Sequence, residues 1–372
     1  MEQLARKYRP QALAHLVGQP TIVQTLTNAF NKGQLHQAYL LVGQFGSGKT
    51  SAARVLAAME NCETGRTLEP CGKCPLCVAI FKGEHEDIRE IDAASAAGKV
   101  EQIRELKNDA SYTSIDGARV KYFIIDEAHR MSDAASESLL KLVEEPPEHI
   151  RFILCTTDPQ RIKPTIQSRC QRHDFRKIYW REMSDRLAGV ARNENYEVDE
   201  NALHLCSRLA EGSMRNALQN LEKLFCYIEG SKATLEDAEA LFGTPGEMAY
   251  YDLIDQIIGT VDGKPNVTTG FRLINEMFRN GCEFEVVFKT LATRFHDLVV
   301  GLTSKEAYEF LSVSTAGRHR LATQLEHLKT KLAGVIECIE NLHEAKRSVL
   351  FNIPPEEALQ TWFVRCVYSI RR

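Results

Sequence analysis

"GQFGSGKT", Gly43 to Thr50, decides the fold. It matches G-x-x-x-x-G-K-[ST] at every fixed position. The apolar run "QAYLLVG" (37–43) precedes it and the helical pattern "SAARVLAAME" (51–60) follows, which is the strand–loop–helix setting a phosphate loop needs. The glycines let successive backbone N–H groups turn inward around phosphate oxygens, and the helix N-terminus adds partial positive charge. In such a loop Lys49 reaches the β- and γ-phosphates and Thr50 offers its hydroxyl to Mg²⁺. Gly43, Gln44, Phe45, Gly46, Ser47 and Gly48 form the cradle.

Working outward, "FIIDEAH" (123–129) ends an apolar strand on Asp126, placing that carboxylate at the sheet edge beside the phosphates, where it can hold the Mg²⁺ shell. Glu127, the next residue, can orient or deprotonate a water. Two adjacent carboxylates with separate duties indicate hydrolysis more than transfer to a small acceptor. The H-R-D-x-x-x-x-N of protein kinases does not occur.

Around these motifs, short apolar runs alternate with helical patterns from about 36 to 178. "QAYLLVG", "IREID" (88–92), "VKYFIID" (120–126) and "RFILCTT" (151–157) read as buried strands, and the helices between them imply parallel pairing. Beyond about 179 the period is helical. In "SMRNALQNLEKLFCYIEG", Leu218, Leu221, Phe225 and Ile228 share a stripe that Gly230 ends. "FGTPGE" (242–247) carries the Gly and Pro of a boundary. With 372 residues and 44% hydrophobic content the chain should hold two or three packed domains. Its net charge of −4 argues against a general polyanion coat. "MEQLARKYRP" has no apolar core, so no signal peptide is read there, and no run is long enough for a membrane helix. Of 11 cysteines, seven lie scattered, including Cys155 in "FILCTT" and Cys226 in "KLFCYI", both read as inert core thiols. That scatter suggests a reducing, cytoplasmic setting.

Two arginines raise a sharper question. Arg169 lies in "SRC", after the "CTTDP" strand end. Arg215 lies in the first turn of a helix with Ser213 as its N-cap, where a cation opposes the macrodipole by about 0.3–1 kcal/mol unless an anion is near. On residue chemistry alone each reads as an ordinary surface arginine.

The segments "LARKYRP", "VGQ", "GSGKTSAAR", "NCETG", "PCGKCPLC", "EIDAAS", "FIIDEAH", "LLKLVEEPPEH", "TTDPQ" and "SRCQ" resemble the gamma/tau subunits of bacterial DNA polymerase III clamp loaders, which are AAA+ ATPases. The resemblance covers residues 1–245. It implies an α/β fold: an AAA+ P-loop domain with a parallel five-stranded sheet over 1–178, a zinc-binding insertion at about 60–80, a helical lid over 179–242 and an all-helical collar for oligomerisation over 243–372. It implies that Lys49, Thr50, Asp126 and Glu127 serve ATP and Mg²⁺, and that Thr157 is sensor 1. Arg169 becomes a finger acting in trans on a neighbour's ATP, and Arg215 sensor 2 acting in cis. Arg9, Pro10 and Val17 would line the adenine pocket. The implied function is ATP-driven opening of a sliding clamp and its loading on primer–template DNA in replication. The implied partners are other clamp-loader subunits in a hetero-pentamer and further copies of the chain itself. The alternatives are another AAA+ DNA motor, helicase-like and hexameric, and a catalytically silent scaffold; the intact Lys49, Thr50, Asp126 and Glu127 speak against silence.

The insertion has chemistry of its own. Cys62-x8-Cys71-x2-Cys74-x2-Cys77 offers four soft ligands in one short loop, suiting tetrahedral Zn²⁺. An iron–sulfur cluster competes, since C-x2-C-x2-C opens a ferredoxin run. That run requires a further cysteine at position 81, which is Phe81, so zinc is favoured. A redox pair would want one exposed low-pKa thiol rather than four grouped ones. The helix after "EIDAAS" carries Lys99, Arg104 and Lys107 among acidic neighbours, and reads equally as a DNA-tracking face or a solvated one.

Overall fold

In the computed structural model, residues 3–94, 117–243, 246–260, 263–279, 282–304, 311, 313 and 315–371 are described. Lys99, Arg104 and Lys107 lie outside them. By its internal contacts the chain divides into two compact units, Met1–Ala233 and Thr234–Arg372.

The N-terminal unit is built on a five-stranded parallel sheet: β1 (Ala38–Gly43), β2 (Ile88–Asp92), β3 (Lys121–Asp126), β4 (Ile150–Thr156) and β5 (Gln171–Phe175), in the spatial order β2-β3-β4-β1-β5. The three inner strands are buried along nearly their whole length, as a parallel sheet covered on both faces demands. The outer strands are each buried at only two positions. Strand β5, "QRHDF", is polar at every position but its last, so the sequence showed no apolar run there. It pairs through its backbone with β1 and buries only His173 and Phe175.

Side chains alternate across the sheet. Tyr39, Leu41, Tyr122, Ile124, Ile153 and Cys155 form one face with helices α2 (Pro20–Asn31), α3 (Lys49–Asn61) and α4 (Pro75–Lys82). Leu40, Val42, Phe123, Ile125, Phe152 and Leu154 form the other with α5 (Asp133–Glu144) and α6 (Pro164–Gln167); a single helical turn, α1 (Leu4–Lys7), precedes them all. Alanines at 52, 53, 57 and 58 let α3 lie close against the sheet, and most of its residues are buried.

Beyond β5 come α7 (Trp180–Asn193), α8 (Glu200–Leu209) and α9 (Met214–Tyr227), with a two-residue parallel bridge between Glu197–Val198 and Lys232–Ala233. Helix α9 starts where expected, with Ser213 accepting a hydrogen bond from the Asn216 N–H. It stops earlier than expected. The helix ends at Tyr227 rather than running to Gly230, and Ile228, already extended, leaves the stripe. Cys226, expected in the core, is exposed: the stripe of Leu218, Leu221 and Phe225 turns it to the opposite side.

The second unit is all helical among its described residues: α10 (Leu235–Phe242), α11 (Glu247–Ile258), α12 (Val267–Arg279), α13 (Phe284–Thr303), α14 (Thr315–Leu328), α15 (Leu332–Leu350) and α16 (Pro355–Arg371). Helix α10, which the sequence places with the lid, groups here by its contacts. Trp362 centres the core, edge-on to Phe295 at 5.6 Å, its indole N–H donating to the Cys338 carbonyl at 3.0 Å. Close helix approach requires glycine at 270 and 334: an added Cβ would lie 2.2 Å from the Phe363 ring and 2.7 Å from the Ser369 carbonyl oxygen. No helix among the described residues is long and apolar enough to cross a membrane.

Candidate nucleotide site and cysteine cluster

The phosphate loop lies at the C-terminal end of β1, next to β4 in the sheet, and β3 lies on the far side of β4. Gly46 and Gly48 take positive φ values of 74° and 103°, which turn the backbone as side-chain-bearing residues rarely can. Gly48 is the N-cap of α3 and supplies no side-chain acceptor, leaving the first-turn N–H groups for an anion. Ser47 is 2% exposed, and its Oγ, with the buried Gln44 Oε1, finds no hydrogen-bond partner. Of the two, only the Ser47 hydroxyl can donate to a phosphate oxygen, and a buried donor inside a glycine cradle fits that group; the Gln44 amide oxygen is an acceptor and does not.

Lys49 is buried, and its ammonium donates to the carbonyls of Gly43 at 2.8 Å and Gln44 at 3.0 Å. Burial lowers its pKa, opposed by Cys155, Asp126 and Glu127. The Thr50 hydroxyl donates to Asp126 Oδ2 at 2.9 Å, so two oxygens suited to a hard cation already meet. Asp126 Oδ1 accepts the Glu127 N–H at 3.0 Å. Glu127 sits in the left-handed region at φ 49°, and the Thr157 hydroxyl reaches its Oε2 at 3.4 Å. Thr157 stands one residue past the end of β4 rather than inside it.

The structure thus brings Lys49, Thr50, Asp126, Glu127 and Thr157 to one end of the sheet. It also brings in helix α9. The Met214 N–H donates to the Gly46 carbonyl at 3.1 Å, and the Arg215 guanidinium lies 5.1 Å from the centre of the Phe45 ring, which is half exposed. The N-terminal segment closes the same region: Leu16 would touch a Cβ placed on Gly48. Arg9 feels the fields of Arg54, Glu90 and Arg215, and its pKa is lowered first by burial and then by Arg54. Arg54 itself is tied to Glu90 at 2.5 Å and to the Phe81 carbonyl at 2.7 Å. Pro10 and Val17 are half-buried.

Arg169 is placed differently. Its guanidinium donates to the Thr165 carbonyl at 2.8 Å and pairs with Glu144 at 2.8 Å, on a partly exposed surface. Glu144, in "LVEEPP", is thus a partner the sequence reading did not supply. Two further residues were missed. His129 Nδ1 lies 3.3 Å from Glu127 Oε2 and 3.1 Å from the hydroxyl of Thr156, which is fully buried. The signal for His129 was its place two residues after Glu127 in "DEAH".

The sulfurs of Cys62, Cys71, Cys74 and Cys77 all lie within 4.8 Å of one another. A tetrahedron with Zn–S bonds of about 2.3 Å has S–S edges of about 3.8 Å, so the set fits that ion with little movement. The N–H groups of Lys73 and Cys74 point at Cys71 Sγ, at 3.5 and 3.3 Å, and the Cys77 N–H at Cys74 Sγ, at 3.3 Å. Such bonds favour thiolates and lower the Cys71 pKa. For Cys62, burial pushes the thiol up, but hydrogen bonds from Cys71 and Thr64 outweigh it and leave it at about 6. Burial pushes Cys77 up. Cys62 and Cys77 sit in the core beside α3, so the cluster is anchored to the domain.

A family profile described as "DNA polymerase III, delta subunit" matches residues 18–179. "DNA polymerase III subunit tau" of Escherichia coli (strain K12) is 37% identical over 322 residues, which are 87% of this chain and 48% of that protein. "DNA polymerase III subunit gamma" of Buchnera aphidicola subsp. Schizaphis graminum is 36% identical over 297 residues, 80% of each chain. "DNA polymerase III subunit tau" of Bacillus subtilis (strain 168) is 35% identical over 303 residues, 82% of this chain and 52% of that one. The chain therefore spans about half the length of the tau proteins it matches. Among solved structures, a mutant of Thermotoga maritima RuvB superposes with a TM-score of 0.50 at 16% identity, over 68% of this chain and 80% of that one. That is a likeness of fold alone.

Proposed function

Since the chain belongs to the DNA polymerase III gamma/tau subunit family, we propose that it is an ATP-hydrolysing subunit of a sliding-clamp loader. In this reading residues 1–178 form the ATPase domain and 179–242 the lid, and the helices of 243–372 form a collar holding the chain among other clamp-loader subunits and further copies of itself in a hetero-pentamer. The convergence of Lys49, Thr50, Asp126, Glu127 and Thr157 beside an uncapped helix N-terminus carries the reading.

The phosphates of ATP would lie in the Gly43–Thr50 cradle, with Lys49 giving up its two carbonyl partners to reach them. Thr50 and Asp126 would hold Mg²⁺, which when bound neutralises charge on the phosphate oxygens. Glu127 would orient a water and take its proton, with Thr157 beside it. Arg215, already over the phosphate loop, would respond to the same nucleotide, and Arg9, Pro10 and Val17 would line the base. Arg169, paired with Glu144 on its own chain, would act on a neighbour's site. The four cysteines would hold a structural Zn²⁺, closed to water by having four protein ligands. The same proposal couples this cycle to clamp opening and to primer–template DNA, a reading that membership of the family supports.

Two substitutions separate binding from chemistry. Lys49→Ala should abolish tight ATP binding. Glu127→Gln should keep ATP bound while hydrolysis stalls, because an amide takes no proton. Normal hydrolysis by the Glu127→Gln protein would overturn the role given to that carboxylate.

A further inference from the structure

We infer that His129 is a positioning residue for Glu127: by holding Oε2 it leaves Oε1 free to face the attacking water. The inference rests on the ATPase reading above. Glu127 has unusual need of restraint. Its backbone is left-handed, at φ 49° and ψ 41°, and its side chain is one-fifth exposed at the mouth of the site. Two groups reach it, and both reach the same oxygen: His129 Nδ1 at 3.3 Å and the Thr157 hydroxyl at 3.4 Å, each to Oε2. Among the described residues, Oε1 receives no hydrogen bond.

The chemistry fixes which way the imidazole works. A lone pair on Nδ1 would face a carboxylate oxygen lone pair, so Nδ1 carries the proton. Nδ1 is hydrogen-bonded to Thr156 Oγ1 at 3.1 Å and lies at ion-pair distance, 3.3 Å, from Glu127 Oε2. Thr156 is fully buried at the end of β4, and its Oγ1 also accepts the Asp158 N–H at 3.0 Å. His129 itself starts from the single helical turn Ala128–Arg130, which is closed by the Arg130 N–H donating to the Glu127 carbonyl at 2.8 Å. The ring is nearly buried and held between a strand end and the turn. It therefore transmits the rigidity of the sheet to a carboxylate that its own backbone leaves at the surface. No charge on the ring is required, because the neutral Nδ1–H form also turns its positive edge toward Oε2.

The experiment uses the assembly purified intact, with wild type, His129→Ala, His129→Asn and each combined with Glu127→Gln. An asparagine amide can place its N–H near the position of Nδ1. His129→Ala should cut ATP turnover at least tenfold with ATP affinity within twofold, since only the water's orientation is lost. His129→Asn should restore most of it. Neither should lower the residual rate of Glu127→Gln further, because the group they orient is gone. His129→Ala at the wild-type rate, an equal loss in His129→Asn, or an equal loss of affinity would each overturn the inference. If His129→Ala does not fold, His129→Asn decides alone: near wild-type turnover supports the inference and a tenfold loss overturns it. Wild type that fails to hydrolyse ATP, or Glu127→Gln that hydrolyses normally, would instead refute the ATPase reading beneath it.

Discussion

Gly46→Ala tests the contact between the phosphate loop and helix α9. Gly46 has φ 74°, and the left-handed conformation costs an alanine there about 1–2 kcal/mol. Its Cβ would also lie 2.0 Å from Ser213 Oγ, a separation no pair of atoms tolerates. Ser213 cannot swing away freely, because its hydroxyl caps α9 by accepting the Asn216 N–H, a bond worth about 0.5–2 kcal/mol. The combined cost is about 1.5–4 kcal/mol. It can be met in two ways. The unit can keep its shape and lose stability, lowering its unfolding temperature by about 2–4 °C per kcal/mol. Or α9 can move off the loop, breaking the 3.1 Å bond from Met214 to Gly46 and carrying Arg215 off Phe45, which should weaken ATP binding by a similar free energy. Thermal unfolding and ATP titration read both routes. Adding Ser213→Gly removes the clash but leaves the backbone strain, so the double variant should recover part of the loss. Wild-type stability together with wild-type ATP affinity in Gly46→Ala would refute the reasoning.

The cysteine cluster predicts about one Zn²⁺ per chain, lost in Cys74→Ser along with thermal stability but with ATP hydrolysis largely kept; a folded wild-type protein without zinc, checked by elemental analysis, would contradict this. Arg169→Ala should leave the isolated chain binding ATP normally and slow hydrolysis only in the assembly, where fingers give up to about 10³–10⁵-fold in some phosphoryl-transfer systems; equal loss of ATP affinity in the isolated chain would make it a cis residue. Glu194 accepts hydrogen bonds from Lys7 and Tyr8, which hold its pKa below the usual value. A depressed carboxylate contributes stability above its unfolded pKa, near 4.5, and loses it as pH falls through the lower folded value. Glu194→Gln should therefore unfold at a lower temperature than wild type at pH 7, with the gap closing below about pH 4.5; a gap constant with pH would show that the charge plays no part.

The readable parts of the molecule were those where one physical demand acts on consecutive residues. Strands β1, β3 and β4 are buried on both faces, so they appear as unbroken apolar runs. The phosphate loop needs glycine, lysine and threonine at fixed spacing, and the four cysteines need short spacers. Strand β5 escaped because an edge strand is held by backbone bonds to β1 and can spell "QRHDF". The end of α9 was misplaced because Ile228 continues the apolar period while its backbone has already become extended. Cys226 was misjudged because an apolar run does not say which of its members faces outward. Contacts between distant residues were the least legible. Glu144 beside Arg169, and Thr156 beneath His129 and Glu127, lie 25 and 29 positions from Arg169 and Glu127 and follow no motif.

In the proposed function, ATP turnover at this site drives a clamp onto DNA. The direct measurement is loading of a ring-shaped clamp onto primed circular DNA by the purified assembly, followed together with ATP hydrolysis. The account predicts that loading requires ATP and fails with Lys49→Ala. It also predicts that hydrolysis rises when clamp and primed DNA are present together, and that Glu127→Gln retains the clamp on the assembly without releasing it. Clamp loading at the wild-type rate by the Lys49→Ala assembly, or hydrolysis indifferent to clamp and DNA, would contradict it.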